Sequence, residues 1–169
     1  MILVAVLLAG LARAFAFQTF FIPSSSMVPT LGVYDRVLVQ KAFFTPRDVR
    51  AGNIVVFRHP PLDHCPGEGD LVKRVIALPD QTIYSSGNSI YVNGRLLAEP
   101  YLPQYDPLGP PIASSQHPYR VPAGEFYVLG DNRADSCDSR YWGPITGSSI
   151  IGKVVLTFWH DGRPDFHRF

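Results

Sequence analysis

From Met1 to Ile22 only Gly10, Arg13, Gln18 and Thr19 fall outside the apolar set, so the run is hydrophobic all round rather than along one stripe. As a helix it would be about 33 Å long, enough to span a bilayer core. We read residues 1–21 as a membrane helix that Met1 enters partway, with Arg13 snorkelling to an interface. Two other readings compete: a cleavable export signal, which lacks a basic start although Ala14-Phe15-Ala16 has the A-x-A form, and a buried core helix. Beyond Pro29 the pattern changes to short β-type runs bounded by Gly, Pro or Asn. Strands are expected at Arg36–Ala42, Asn53–Arg58, Leu71–Leu78, Ile83–Tyr84, Ser89–Val92, Arg95–Leu97, Glu125–Leu129 and Ile151–Phe158. Asn93-Gly94 predicts a two-residue hairpin, since both turn positions need positive φ. Seven prolines between Pro100 and Pro122 predict a long surface loop over 100–122. Residues 22–169 thus read as one β-rich domain.

Composition sharpens this picture. The 169 residues are 46% hydrophobic and 17% charged, which excludes disorder as the main state. Arg13 is the only charged residue among the first thirty. A net charge of +1 is no footprint for nucleic acid. Cys65 and Cys137 allow at most one bridge and cannot build a zinc ribbon or a disulfide-dense scaffold. A metal reading on His59, Asp63, His64 and Cys65 suffers from their crowding around Pro60-Pro61, so no metal site is expected.

Three segments carry candidate chemistry. Ser24-Ser25-Ser26 lies between Pro23 and Pro29, which forbid a continuous helix; it is either a polar turn or an exposed nucleophile that needs a base from elsewhere. Lysine occurs three times against twelve arginines. In Asp70-Leu71-Val72-Lys73-Arg74-Val75-Ile76-Ala77, strand alternation puts Lys73 on one face with Leu71, Val75 and Ala77, and Arg74 on the other. Lys73 is either an edge lysine reaching water or a desolvated amine able to act as a base; holding it neutral at pH 7 requires about 4.6 kcal/mol. The third segment, Gly130 to Gly143, packs acids, arginines and serines behind an apolar strand. It reads as a solvated acidic loop or as one stiffened by charge-assisted hydrogen bonds.

Together these segments resemble the type I signal peptidases, membrane-anchored serine proteases of the Ser-Lys kind. Ser24 to Leu31 is similar to the S-x-S-M-x-P-T-L segment, Gly52 to Phe57 to G-D-x-V-x-F, Lys73-Arg74 with Leu78-Pro79 to the base strand, and Gly130 to Gly143 to G-D-N-R-x-x-S-x-D-S-R-x-W-G. The four occur in the family's order. The resemblance implies a compact antiparallel β-sheet or partial barrel behind an N-terminal transmembrane helix, on the extracytoplasmic face, monomeric and without cofactor. It implies Ser26 as nucleophile, Lys73 as general base, Ser24 with the Ser26 N–H as oxyanion hole, and Ser136 orienting Lys73. Arg74 with Asp131, and Asp138 with Arg140, would pair in support. Ile22, Met27, Leu31 and Val72 would line pockets for small side chains. The preprotein substrate would lie as an extended strand beside Asp70, Leu71, Val72 and Lys73.

The chain departs from the pattern at Asn53 for Asp, at Asp80-Gln81 for Gly-Asp, and at Ala134-Asp135 for Asp-Asn. Another self-cleaving Ser-Lys protease, or a non-catalytic membrane-tethered β module that binds extended peptides, are the competing functions.

Overall fold

The computed structural model describes residues 16–169 apart from 43, 61–68, 104–106 and 161. Strands form where apolar and β-branched residues alternate or run together: β1 Phe17–Phe21, β2 Arg36–Gln40, β3 Ile54–Arg58, β4 Asp70–Ala77, β5 Thr82–Ser86, β6 Ser89–Val92, β7 Arg95–Leu96, β8 Tyr119–Arg120, β9 Glu125–Leu129, β10 Ile145–Thr146, β11 Ile150–His160 and β12 Arg163–Arg168. The larger sheet has the order β1-β2-β11-β3-β4-β9-β10, with β12 pairing β11, and the smaller has the order β7-β6-β5-β8. Every pairing is antiparallel. The mainly β expectation holds.

The eight predicted strands are present with their ends moved by a residue or two. The hairpin forms as expected, with Val92 opposite Arg95 and Asn93 and Gly94 at φ 51° and 73°. Residues 17–21, predicted to end the membrane helix, are instead strand β1, paired with β2 from Phe17↔Gln40 to Phe21↔Arg36. The aromatic residues suit a strand, and β2 satisfies the backbone groups along one edge of it. The rest of that predicted helix, residues 1–15, lies outside the described residues. Among the described residues no helix is long and apolar enough to cross a membrane. The proline-rich stretch is loop except for β8, which adds to the edge of β5; its residues 104–106 lie outside the description.

Strand β3 is buried along Ile54–Phe57 because the larger sheet is covered on both faces. Ile54 and Val56 pack with Ile22, Met27, Leu31, Val37, Val39 and Val154. Val55 and Phe57 pack with Val49, Val75, Phe126, Val128 and Ile145. A third cluster joins the small sheet, through Ile83 and Ile90, to Ile76 and Ala77 of β4 and Tyr127 and Leu129 of β9. The alternation predicted for β4 therefore holds for Leu71 and Val75 but not for Ala77, because the β4–β9 register shifts between Val75 and Ala77 and a bulge reverses the facing.

Candidate active site

The nucleophile segment leaves β1 at Ile22 and returns at Asp35, which accepts the Ile22 N–H at 2.9 Å while Ile22 accepts the Tyr34 N–H at 2.8 Å. Ile22 and Met27, 2% and 1% exposed, and the wholly buried Leu31 anchor the turn from beneath, and of the serines between Ile22 and Met27, Ser26 meets β4 at Lys73. Lys73 Nζ donates to Ser26 Oγ at 2.5 Å, across 47 residues of sequence. Lys73 is 3% exposed. Its burial pushes the ammonium down to about 8, with Asp138 opposing and Arg140 assisting the shift. The amine is thus available as a base near neutral pH. Ser24 Oγ lies 3.3 Å from Ser26 Oγ.

The loop after β9 clamps this turn. Gly130 has no room for a side chain: a Cβ there would lie 2.2 Å from Ser136 Oγ and 2.4 Å from the Ser26 carbonyl oxygen. Asn132 donates its N–H to Ser26 O at 3.1 Å and its side-chain amide to Ser25 O at 3.2 Å. Ser25 Oγ donates to Asp135 at 2.8 Å. Asp135 was a variable position in the resemblance, and its role shows only once the two loops are brought together. Ser136 Oγ is buried but makes no hydrogen bond, so the expected Ser136–Lys73 bond is not formed here; its hydroxyl faces the tight gap behind Gly130.

Two ion pairs hold the loop and the base strand. Arg74 donates to both Asp131 oxygens at 2.8 and 2.6 Å, and to Gly52 O at 2.9 Å, while Thr30 donates to Asp131 at 2.5 Å. The base strand, the nucleophile turn and the loop thus meet at one buried carboxylate. Asp138 accepts Arg140 Nε and Nη2 at 2.8 and 2.7 Å and the Gly130 N–H at 3.0 Å, and caps the short helix α1 (Ser139–Trp142) through the Arg140 N–H. Arg140 also donates to Leu108 O. Both expected pairs are present.

A third buried ion pair, Arg133 with Glu99 at 2.5 Å, was not among the predicted site residues. Arg133 also donates to Gly130 O at 2.9 Å. Tyr101 donates to Glu99 at 2.8 Å and lies 3.8 Å beneath the Arg74 guanidinium. Arg133 stands inside the motif, but Glu99 precedes and Tyr101 opens the proline-rich stretch, where sequence offers no partner.

A cavity of about 140 Å³ beside Ser26 is lined by Phe20 to Ser24, Met27 and Asp70 to Lys73. It brings together Ile22, Met27, Asp70, Leu71 and Val72 as predicted. Leu31 is not among its lining residues; it is wholly buried in the cluster below. A second opening, about 450 Å³, continues past Ser26 between Ser24–Ser26, His59, Leu71, Ala134–Cys137, Tyr141 and Trp142. Cys137 on its wall is disulfide-bonded; Cys65, with Asp63 and His64, lies outside the described residues. Among the described residues no cluster of acids, histidines and cysteines is arranged to hold a metal ion.

A family model described as signal peptidase, peptidase S26, matches residues 1–159. A probable signal peptidase I-2 from Synechocystis sp. is 38% identical over 158 residues, covering 92% of this chain and 69% of that protein. Signal peptidase I from Leptolyngbya laminosa is 37% identical over 166 residues, covering 94% and 76%. The crystal structure of a signal peptidase I from Enterococcus faecalis V583 aligns with a TM-score of 0.50 at 28% identity, over 62% of this chain and 95% of that one. With the family model spanning most of the chain and relatives at 37–38% identity over more than 90% of it, the chain belongs to the signal peptidase family, peptidase S26.

Proposed function

We propose that this chain is a membrane-tethered serine endopeptidase that removes signal peptides from exported preproteins, with Ser26 as nucleophile and Lys73 as general base. The observation that carries the reading is the 2.5 Å contact between Ser26 Oγ and a lysine amine whose value burial pushes down to about 8, so that a fraction of it is the free base at physiological pH. Neutral Lys73 takes the hydroxyl proton as Ser26 Oγ attacks the scissile carbonyl. The developing oxyanion is met by the Ser26 N–H and the Ser24 hydroxyl. Lys73 then hands its proton to the leaving amine, and the acyl group stays on Ser26. In the second half Lys73 takes a proton from water, the hydroxide attacks the ester, and the proton returns to Ser26. Ser136, which lines the same opening as Lys73, is the positioning residue that a substrate-loaded site would engage. None of these steps needs a cofactor.

The substrate is read as an extended strand. Among the described residues β1 pairs only with β2, and Asp70 to Lys73 pair with β3 alone because β9 takes the other edge of β4 from Arg74 onward. Two unpaired edges therefore flank one cavity, and a strand inserted there finds backbone partners on both sides. The 140 Å³ cavity, shared by two substrate side chains, accepts methyl-sized groups and favours Ala-x-Ala before the scissile bond. Phe17, Phe21 and Tyr34, 40%, 51% and 68% exposed, continue the apolar N-terminal run onto the surface and support a bilayer as the neighbour of this end. The domain is taken as a monomer.

The test is cleavage, in detergent, of a preprotein carrying Ala-x-Ala and of the same preprotein with phenylalanine in place of the last alanine. We expect cleavage of the first after the alanine and none of the second; equal cleavage of both would overturn the small-residue reading. Intact Ser26, Lys73 and Ser136 at one cavity disfavour the alternative of a non-catalytic peptide-binding module.

A further inference from the structure

The cleft does not stop at the cavity beside Ser26. A further cavity of about 410 Å³ shares Phe20 and Asp70 with it and is lined in addition by Gln18, Lys41, Arg58, Ile150 and Ile151. The same two unpaired edges, that of β1 and that of early β4, run past the catalytic pair into this space. The lining chemistry changes along the way. Beside Ser26 it is Ile22, Met27 and Val72; here two exposed cations stand at the rim.

Neither cation is neutralised. Lys41 Nζ donates to Gln18 Oε1 at 2.8 Å and Arg58 Nη1 to Ser148 O at 3.4 Å. Among the described residues neither forms an ion pair. The single acid of the lining, Asp70, faces Arg58 across the β3–β4 register, so two positive charges oppose one negative.

We propose that this cavity is a charge-selective subsite that favours an acidic side chain of the preprotein about five to seven residues before the scissile bond. Lys73 to Asp70 is three residues of β4, about 10 Å of extended chain. A strand whose last residue before the bond sits at Lys73 therefore passes Asp70 about three or four residues upstream and enters the second cavity next. The direction follows from Gln18: it lines this cavity and lies within the last third of the chain's own apolar run, on the N-terminal side of Ser26, the side from which an apolar signal segment in the same bilayer would arrive. The subsite rests on the endopeptidase reading above.

The experiment uses the full chain in detergent and three peptides with an Ala-x-Ala site, carrying Asp, Asn or Lys at the sixth position before the bond. Ratios of kcat/KM, each taken against the Asn peptide, are compared for the parent and for Lys41→Glu/Arg58→Glu. In the parent the Asp peptide should exceed the Lys peptide by about 3- to 10-fold at low salt, declining as salt is added; in the double variant the order should invert. Equal ratios in parent and variant overturn the subsite while leaving the peptidase reading intact. Equal ratios together with lost binding of the variant to phosphatidylglycerol vesicles would assign the cations to a lipid surface and overturn the subsite too. Cleavage of none of the peptides by the parent would overturn the peptidase reading, and the subsite with it.

Discussion

Lys73 is held in a place that suits a base and does not suit a charge. Its depressed value of about 8 against an ordinary 10.5 means that the folded state releases this proton more readily than the unfolded chain. Below pH 8 both states carry the charge and the burial penalty is present in full; between about 8 and 10.5 the unfolded chain binds more protons, so this group makes stability rise with pH. Two outcomes follow. The rate of cleavage, measured as kcat/KM against pH, should climb along a limb centred near 8, and a limb near 6.5 would point to a histidine instead. Lys73→Met should be inactive yet more stable than the parent at pH 7, by about 2–3 kcal/mol in chemical denaturation. Gly130 makes the opposite case. A methyl group there meets Ser136 and the Ser26 carbonyl at once, so Gly130→Ala should lower stability by about 1–3 kcal/mol or more and reduce kcat with it, as overpacking against backbone displaces the nucleophile.

At the scale of elements, the site is three loops and a strand fastened by buried carboxylates. Asp131 serves the base strand and the nucleophile turn together, so Asp131→Ala, which strands Arg74 at 7% exposure, should cost about 3–5 kcal/mol in thermal or denaturant unfolding. The turn after β4 tolerates its departure from the family pattern: Asp80 adopts φ 66°, a left-handed conformation that Asp reaches at modest cost. Gln81 closes the turn by accepting the Leu78 N–H at 2.8 Å. Asp80→Val, β-branched at the same φ, should destabilise by about 1–2 kcal/mol without changing substrate preference. Asn53 likewise substitutes for an aspartate, its Oδ1 accepting the Arg50 N–H at 3.0 Å. The motif segments themselves were legible in the sequence, whereas the geometry that these two departures adopt shows only in the fold. β1 was not, since an apolar run before a proline has the same composition whether it is the end of a helix or an edge strand, and only pairing with Arg36–Gln40 decides. Nor were β10 and β12, which are two residues and a charged edge whose only strand signal is a partner. Glu99 and Tyr101 were hidden for a related reason. Their partners Arg133 and Arg74 lie across the fold, and nothing in a proline-rich stretch announces a long-range ion pair.

Across the whole molecule, a bent sheet leaves two strand edges open toward one cleft, and that cleft runs from the catalytic pair to a cationic end. Register shifts in β11 between Ile150/Gly152, Val154/Leu156 and Thr157/Trp159 bend the central strand, which brings β1 and β4 to opposite sides of the cavity beside Ser26. The apolar pack of Ile22, Met27 and Leu31 lies beneath the turn that carries Ser26 to its contact with Lys73. The most direct test of the account is cleavage of a preprotein with an Ala-x-Ala site in detergent or lipid by the parent, Ser26→Ala and Lys73→Ala, with folding of each followed by circular dichroism. The account predicts cleavage by the parent and losses of several orders of magnitude in both folded variants; retained activity in either would contradict the Ser26–Lys73 pair.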